Sequence, residues 1–454
     1  MSHGASLDIE AFIDQSPFSP FQWLLLLLCF LVIFMDGYDM AAIAYVAPSL
    51  LDEWGVQKAE LGPAMSAALF GLAFGSLLSG PLADRVGRKP AVIYSVLLFG
   101  VFSLATAWST SIGSLTLLRF ITGLGLGAAM PNSITLLSEY CPSKRRTMIV
   151  SAMLCGFPLG AAVGGLLAGY LIPSFGWRSV LVVGGVVPIL LCVALPWLLP
   201  ESVRYMVLKG YPSTRIRAVL QRIKKEGVER AEHFVIAEKI ADGHSAIRAI
   251  LTSPHRTVTG LLWLSCFMSM LVFYMIVSWM PLLLKEAGLS VLQFSHISAL
   301  FPLGGGVGSI VIGWVMDRRE PNKVLALTYL VAGVLAYGVG LAVGNVTHTL
   351  LLGSLVFFMG FASGGGQSAL ASLSASYYPT SCRATGVGSM YGVGRFGAIF
   401  GVLAGAELLR YQYPAAAIFS LLLIPAWLVC LALMLKYFSG RRRELLLARL
   451  PDKH

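Results

Sequence analysis

The 454-residue sequence predicts an all-α membrane protein of twelve transmembrane helices in two pseudo-symmetric six-helix halves. Three observations predict it. The chain is 57% apolar and 12% charged, about half the charge of a soluble domain. Its apolar residues gather in twelve runs of helix length, close to the roughly 20 residues that cross a bilayer. Two short strings recur at nearly the same offset: Gly80-Pro-Leu-Ala-Asp84-Arg85 returns 233 residues later as Gly313-Trp-Val-Met-Asp317-Arg318, and Pro142-Ser-Lys-Arg-Arg146 returns 237 residues later as Pro379-Thr-Ser-Cys-Arg383. Matches in the same place relative to the spans mark duplicated halves. This composition excludes a soluble enzyme, a disordered chain and a disulfide scaffold.

The runs lie at 22–47, 61–82, 91–109, 112–138, 147–171, 179–199, 257–284, 293–316, 323–343, 350–376, 384–408 and 414–436. They divide the chain into a tail (1–21), a first half (22–200), a polar linker (201–256), a second half (257–436) and a basic tail (437–454). Trp23, Trp108, Trp177, Trp279 and Trp314 fall near span ends, where interfacial aromatics belong. The first 20 residues hold Asp8, Glu10 and Asp14 but no Lys or Arg, so the first run reads as a retained span rather than a cleaved signal.

The formal charge is +11. With both termini cytoplasmic, 27 of the 33 basic residues face the cytoplasm and four (Lys58, Arg178, Lys285, Arg410) face the other side. That asymmetry obeys the positive-inside rule, so the basic excess needs no nucleic-acid partner; the lipid bilayer is partner enough. The seven cysteines are scattered among apolar runs without metal-ligand spacing and read as small buried hydrophobes. His296 and His348 fall near span ends, and no nucleophile triad or metal cluster is evident. The expectation is no enzyme, no metal and no cofactor.

The most specific string joins spans 2 and 3: Gly80-Pro-Leu-Ala-Asp84-Arg85-Val-Gly87-Arg88-Lys89-Pro90. An ordinary positive-inside loop accounts for its basic residues but not for Gly80, Asp84 and Gly87. This string, the copy at Asp317 and Arg318, Arg119-x-x-x-Gly123-x-x-x-Gly127 in span 4 and Pro200-Glu201-Ser202-Val-Arg204 after span 6 resemble the signatures of the major facilitator superfamily. The resemblance implies that fold over essentially the whole chain. It also implies gating roles for Gly80, Asp84, Arg85, Gly87, Arg88, Asp317 and Arg318, with Asp84 meeting the start of span 11. Glu320 replaces the second glycine in the copy, so that loop is less constrained.

Ionisable residues inside a membrane span cost about 2.5–3.5 kcal/mol each on insertion scales, so each needs a partner or a task. Asp36 and Asp39 lie one helical turn apart in span 1, on one face, roughly 20–24 Å from the cytoplasmic edge of a core about 30 Å thick. Arg119 enters span 4 from the other side, about 10 Å below the outer edge, so the depths match. One aspartate is expected to pair with Arg119 while the other titrates; a structural pair that fixes helix packing is the competing reading. Arg395 lies about 15 Å into span 11, at the midplane, with no acidic residue in the central spans of the second half to pair with. A guanidinium there suits bidentate capture of a carboxylate.

Asp36-Gly-Tyr38-Asp39, Leu136-Leu-Ser138-Glu139-Tyr140 and Gly394-Arg395-Phe-Gly-Ala398 resemble the aromatic acid:proton symporters within that superfamily, whose substrates include 4-hydroxybenzoate, protocatechuate and gallate. Ser6-Leu-Asp8-Ile-Glu-Ala-Phe-Ile-Asp14 resembles their amphipathic lead-in. The resemblance implies import of a small aromatic carboxylate across the cell inner membrane by a monomeric carrier, with protons as coupling ion. Asp36 and Asp39 would serve coupling, and Arg395 and Arg119 the substrate. Tyr38, Phe267, Phe273, Tyr274 and Gln367 are aromatic or polar candidates for the site wall. Two other readings stand beside this one: a sugar or organic-ion carrier of the same superfamily, which would not need Arg395, and a membrane sensor of aromatic acids, which would need an output domain.

Overall fold

A computed structural model describes residues 5–226, 228, 231–235, 248–252, 255–344, 348–379 and 382–447. Parts of the expected linker, including Arg230 and Lys239, and the end of the basic tail lie outside these residues. Among the described residues, twelve helices are long and apolar enough to cross a membrane. In chain order, spans 1 to 6 are Pro20–Trp54, Lys58–Val86, Arg88–Thr106, Ile112–Glu139, Arg146–Phe175 and Arg178–Leu198. Spans 7 to 12 are Arg256–Glu286, Val291–Met316, Pro321–Val343, Thr349–Tyr377, Thr385–Arg410 and Ala415–Ser439. All twelve runs read from the sequence are present. Their outward-facing apolar side chains, such as Leu77, Leu190, Trp197 and Ile310, remain exposed, as helices solvated by lipid require.

Before span 1, a strand β1 (Ala5–Asp8) pairs in parallel with β2 (Ala231–Val235), which hydropathy does not foretell. A short helix α1 (Ile9–Gln15) follows; Asp8 caps it by accepting the backbone N–H groups of Glu10 and Ala11, and Ile9, Phe12 and Ile13 are buried. Asp14 then accepts the backbone N–H of Ser143 at 2.6 Å. The lead-in is therefore folded onto the loop after span 4.

The contacts divide the chain into two compact units. The first comprises Met1–Ala42, Ala67–Ala161 and Arg178–Ile240. Its helices close on glycine: a Cβ at Gly123 or Gly127 would collide with the backbone carbonyls of Ala68 and Leu72 in span 2, and one at Gly37 or Gly160 would collide with Phe157 and Phe34 between spans 1 and 5. With lipid as apolar as leucine, such close packing supplies the association energy.

The second unit comprises Ile43–Ser66, Ala162–Trp177 and Ala241–His454. Spans 8 and 10 interlock through Gly304, Gly308 and Gly360 against Phe357, Phe361 and Phe301, and span 11 lays Gly397 and Gly401 on Phe267 and Leu271 of span 7. This unit also contains the end of span 1, which runs seven residues beyond the expected limit at 47, through Pro48 to Trp54. Carboxylates at a helix C-terminus are disfavoured by the dipole, yet Asp52 and Glu53 sit there. Their partners explain the extension: Lys285 pairs with Asp52 and also donates to the Pro48 carbonyl at 3.2 Å, and the Trp177 indole donates to Glu53 at 2.6 Å. A second ion pair, Lys58 with Glu286, lies beside the first.

Gly123→Val is expected to cost about 1–3 kcal/mol through overpacking and to lower the thermal midpoint of the purified protein. Gly113→Ala, where nothing lies within 4 Å of the added carbon, should leave that midpoint unchanged, and fluorescence-detected unfolding in detergent measures both.

Candidate functional site

The first unit contains a fully buried ion pair. Arg119 of span 4 and Asp39 of span 1 have no exposed side-chain surface, and Arg119 Nη1 lies 2.8 Å from Asp39 Oδ2. A second guanidinium nitrogen donates to the Asp39 backbone carbonyl at 3.3 Å, and Ser103 of span 3 donates to Asp39 Oδ1 at 2.5 Å. Three helices thus converge on one carboxylate. Asp36, one turn earlier, is also buried at 1% exposure. Asp39 is thus a partner of Arg119. Ser103 is absent from the sequence reading, although counting 15 residues from Arg88 places it roughly 22 Å along span 3, at the depth already inferred for Asp39.

Tyr38 is committed to packing: its hydroxyl donates to the Val180 carbonyl at 3.0 Å, and its ring lies against Gly184 of span 6.

The loop between spans 2 and 3 is built around Glu201. Gly87 adopts φ +105°, a conformation L side chains rarely adopt, and a Cβ there would also strike the Glu201 carboxylate. Glu201 Oε1 accepts the backbone N–H groups of Arg88 (2.9 Å) and Lys89 (3.1 Å) at the start of span 3, where orphan donors and the helix dipole favour an anion. Tyr205 donates its hydroxyl to the Arg85 carbonyl at 2.8 Å, and Arg88 pairs with Asp84 at 2.5 Å. Ser202 hydrogen-bonds Glu139, and the Tyr140 hydroxyl donates to the Glu201 carbonyl at 2.5 Å. Gly80, by contrast, has open space where a Cβ would sit. In the copied loop Asp317 makes no ion pair among the described residues, Arg318 stacks 3.7 Å from the Trp314 ring centroid, and Glu320 caps span 9 through the Lys323 N–H at 2.8 Å.

Burial pushes the Tyr140 hydroxyl well above its usual range, so it remains a donor. Burial likewise pushes the Cys141 thiol up to about 12.

The second unit holds Arg395, Phe273, Tyr274 and Gln367. Arg395 is half-buried and has interactions of its own, so the expectation of an unpartnered cation is not met. Tyr391 lies one turn before it on span 11 and close enough to Cys266 and Tyr274 of span 7 to interact electrostatically. Tyr329 of span 9 joins the same group: its hydroxyl hydrogen-bonds Ser269 at 2.5 Å, and its ring packs on Gly366. Phe273 stacks 5.4 Å from both Tyr274 and Phe301. Tyr329 and Tyr391 were missed in the sequence, where tyrosine in a span is indistinguishable from packing; the i, i+4 relation of Tyr391 to Arg395 was the available signal. Among the described residues no cluster of three or more metal-ligating side chains occurs.

The Major Facilitator Superfamily model matches residues 29–402 and 262–449. The chain belongs to that superfamily. It is 47% identical to the 4-hydroxybenzoate transporter PcaK of Pseudomonas putida over 96% of this chain and 97% of that one. It is 42% identical to a gallate transporter of Pseudomonas putida over 95% of each. Among solved structures, the D-xylose-proton symporter superposes with a TM-score of 0.71 at 18% identity, covering 90% of this chain and 97% of that one, which supports the major facilitator fold. The protein is a multi-pass membrane transporter and not an enzyme.

Removing one partner of a buried pair strands the other charge and costs about 3–5 kcal/mol, while removing both is far cheaper. Arg119→Met alone is therefore expected to lower the thermal midpoint sharply, and Asp39→Leu combined with it to recover most of the loss. Because the Cys141 thiol titrates far above neutrality, it should stay protonated and resist alkylation from pH 7 to 9. Mass-spectrometric mapping of maleimide labelling on the folded chain checks this.

Proposed function

We propose that this transporter imports an aromatic carboxylate of the hydroxybenzoate, protocatechuate or gallate type by proton symport with alternating access. Near end-to-end similarity to a protein named as a 4-hydroxybenzoate transporter carries the reading, and the buried charges give it a chemistry. Asp39 serves as counter-ion to Arg119, so we assign the coupled proton to Asp36, its neighbour one turn away. Arg395 holds the substrate carboxylate in a charge-assisted, bidentate pair, and Phe273 and Tyr274 offer flat walls to an aromatic ring. Protonation of Asp36 removes a buried negative charge and loading of Arg395 adds one, so carrier and cargo change charge together by one H⁺ and one monoanion. The movement is electrically neutral and is driven by the pH gradient.

The loop around Gly87 and Glu201 would set the conformational equilibrium rather than bind cargo, with Asp84, Arg85 and Arg88 exchanging partners during the cycle. The basic loops support a topology with both termini in the cytoplasm by the positive-inside rule, and the proposed carrier is a monomer of the cell inner membrane with protons as its coupling ion.

Proteoliposomes with an imposed inward pH gradient test the reading through uptake of labelled 4-hydroxybenzoate. Asp36→Asn is expected to abolish accumulation while retaining exchange of internal for external substrate, and Arg395→Ala to abolish both. Unchanged pH-driven uptake in both variants would overturn the assignment.

A further inference from the structure

In the second unit several polar side chains buried within the spans have partners: Ser269 with Tyr329, Thr259 with Tyr378, and the Trp279 indole with the Val402 carbonyl. Gln367 of span 10 departs from this. Its side-chain oxygen, Oε1, is buried and has no hydrogen-bond partner among the described residues. Several buried serine hydroxyls share that condition, including Ser363 one turn earlier on the same face. A serine hydroxyl, however, rotates onto the carbonyl four residues before it. An amide oxygen has no such recourse, because it only accepts and the N–H groups of a helix interior are already spent on the helix.

The surroundings hold this oxygen in a defined place. Gly364, Gly365 and Gly366 immediately precede Gln367; carbons added there would meet Gly305 and Phe273, Gly308, and the Tyr329 ring respectively. Span 10 is thereby pressed onto spans 7, 8 and 9 at this level. Tyr329 in turn lies near Cys266 and Tyr391, Tyr391 is one turn from Arg395, and Gly394 rests on the Cys266 sulfur. Gly366, next to Gln367, and Gly394, next to Arg395, therefore touch the same group of Tyr329, Tyr391 and Cys266 within one unit.

Resting on the proposed function, we infer that Gln367 accepts a hydrogen bond from a ring hydroxyl of the substrate and so selects hydroxylated aromatic acids over unsubstituted benzoate. A buried acceptor aimed at a donor is left unmet by an analogue that lacks it, and sites of that kind discriminate strongly. The carboxylate end of the cargo is common to every aromatic acid and conveys no such information, so the discrimination resides at the other end of the ring.

Equilibrium binding of labelled 4-hydroxybenzoate and benzoate to the purified full-length protein at one pH tests the inference. The wild-type chain should favour 4-hydroxybenzoate by roughly tenfold or more. Gln367→Met removes the acceptor at similar volume and should bring the ratio close to one, and Gln367→Glu, which keeps an acceptor oxygen, should retain the preference. The ratio is taken within each variant, so a lower active fraction cancels; Gln367→Leu provides the same comparison should the methionine variant fail to fold. A ratio in Gln367→Met equal to that of wild type overturns the inference while leaving the proposed function standing. Loss of both acids in a folded Gln367→Met protein also overturns it, since a hydroxyl reader is silent toward benzoate. If wild type binds neither acid, the proposed function fails and this inference with it.

Discussion

The Asp39–Arg119 pair is the constraint around which the first unit is arranged. Two charges taken wholly out of solvent repay their desolvation only when geometry and additional hydrogen bonds are good, and here Ser103 and the Asp39 carbonyl supply those bonds. Spans 1, 3 and 4 are consequently fixed to one another at one depth. Span 4 gains its approach to span 2 from Gly123 and Gly127, and span 1 its approach to span 5 from Gly37 and Gly160. Close-packed glycine faces give van der Waals contact but little register; a single buried ion pair sets the register that the glycines then fill.

The same division of labour runs through the loop at Gly87. There an anion is again placed where unpaired donors accumulate, but the donors are backbone N–H groups at the start of span 3 and the anion is Glu201 from a distant part of the chain. Half-exposed charges in that loop are cheap to rearrange, whereas the buried pair is not. Rigid charge deep in the bundle and exchangeable charge at its end are what a carrier needs if one set of contacts is to persist while another changes.

The sequence made the spans legible because hydropathy over about 20 residues integrates many weak signals. Depth counting along helices brought Asp39 and Arg119 to one level, and the structure joins them. The same arithmetic, applied to Ser103, would have found the third member. It was less informative where tertiary partners override local preference. Span 1 extends past Pro48 because Lys285 and Trp177 receive its terminal carboxylates, and neither partner is local in sequence. The pairing of β1 with β2 and the docking of α1 on the loop after span 4 are likewise long-range, and hydropathy is silent on both. Gly80, singled out by its motif, occupies open space, whereas Gly87 is required both by its φ and by its neighbour; one motif therefore mixes positions with a local structural reason and positions without one.

Two buried tyrosines, one in each unit, show why aromatic residues in a membrane helix resist assignment from sequence alone. Tyr38 and Tyr329 are both almost wholly buried, at 1% exposure each, and composition gives no reason to treat them differently. Their hydroxyls decide the matter. Tyr38 donates to a backbone carbonyl of span 6, an acceptor that cannot donate in return, so its bond is a fixture of helix packing. Tyr329 is joined to another side chain, Ser269, in a pair whose donor and acceptor are interchangeable, next to a cysteine, a second tyrosine and the glycine that precedes Gln367. A hydroxyl pair of this kind can exchange donor and acceptor without losing the contact, which a bond to a backbone carbonyl cannot.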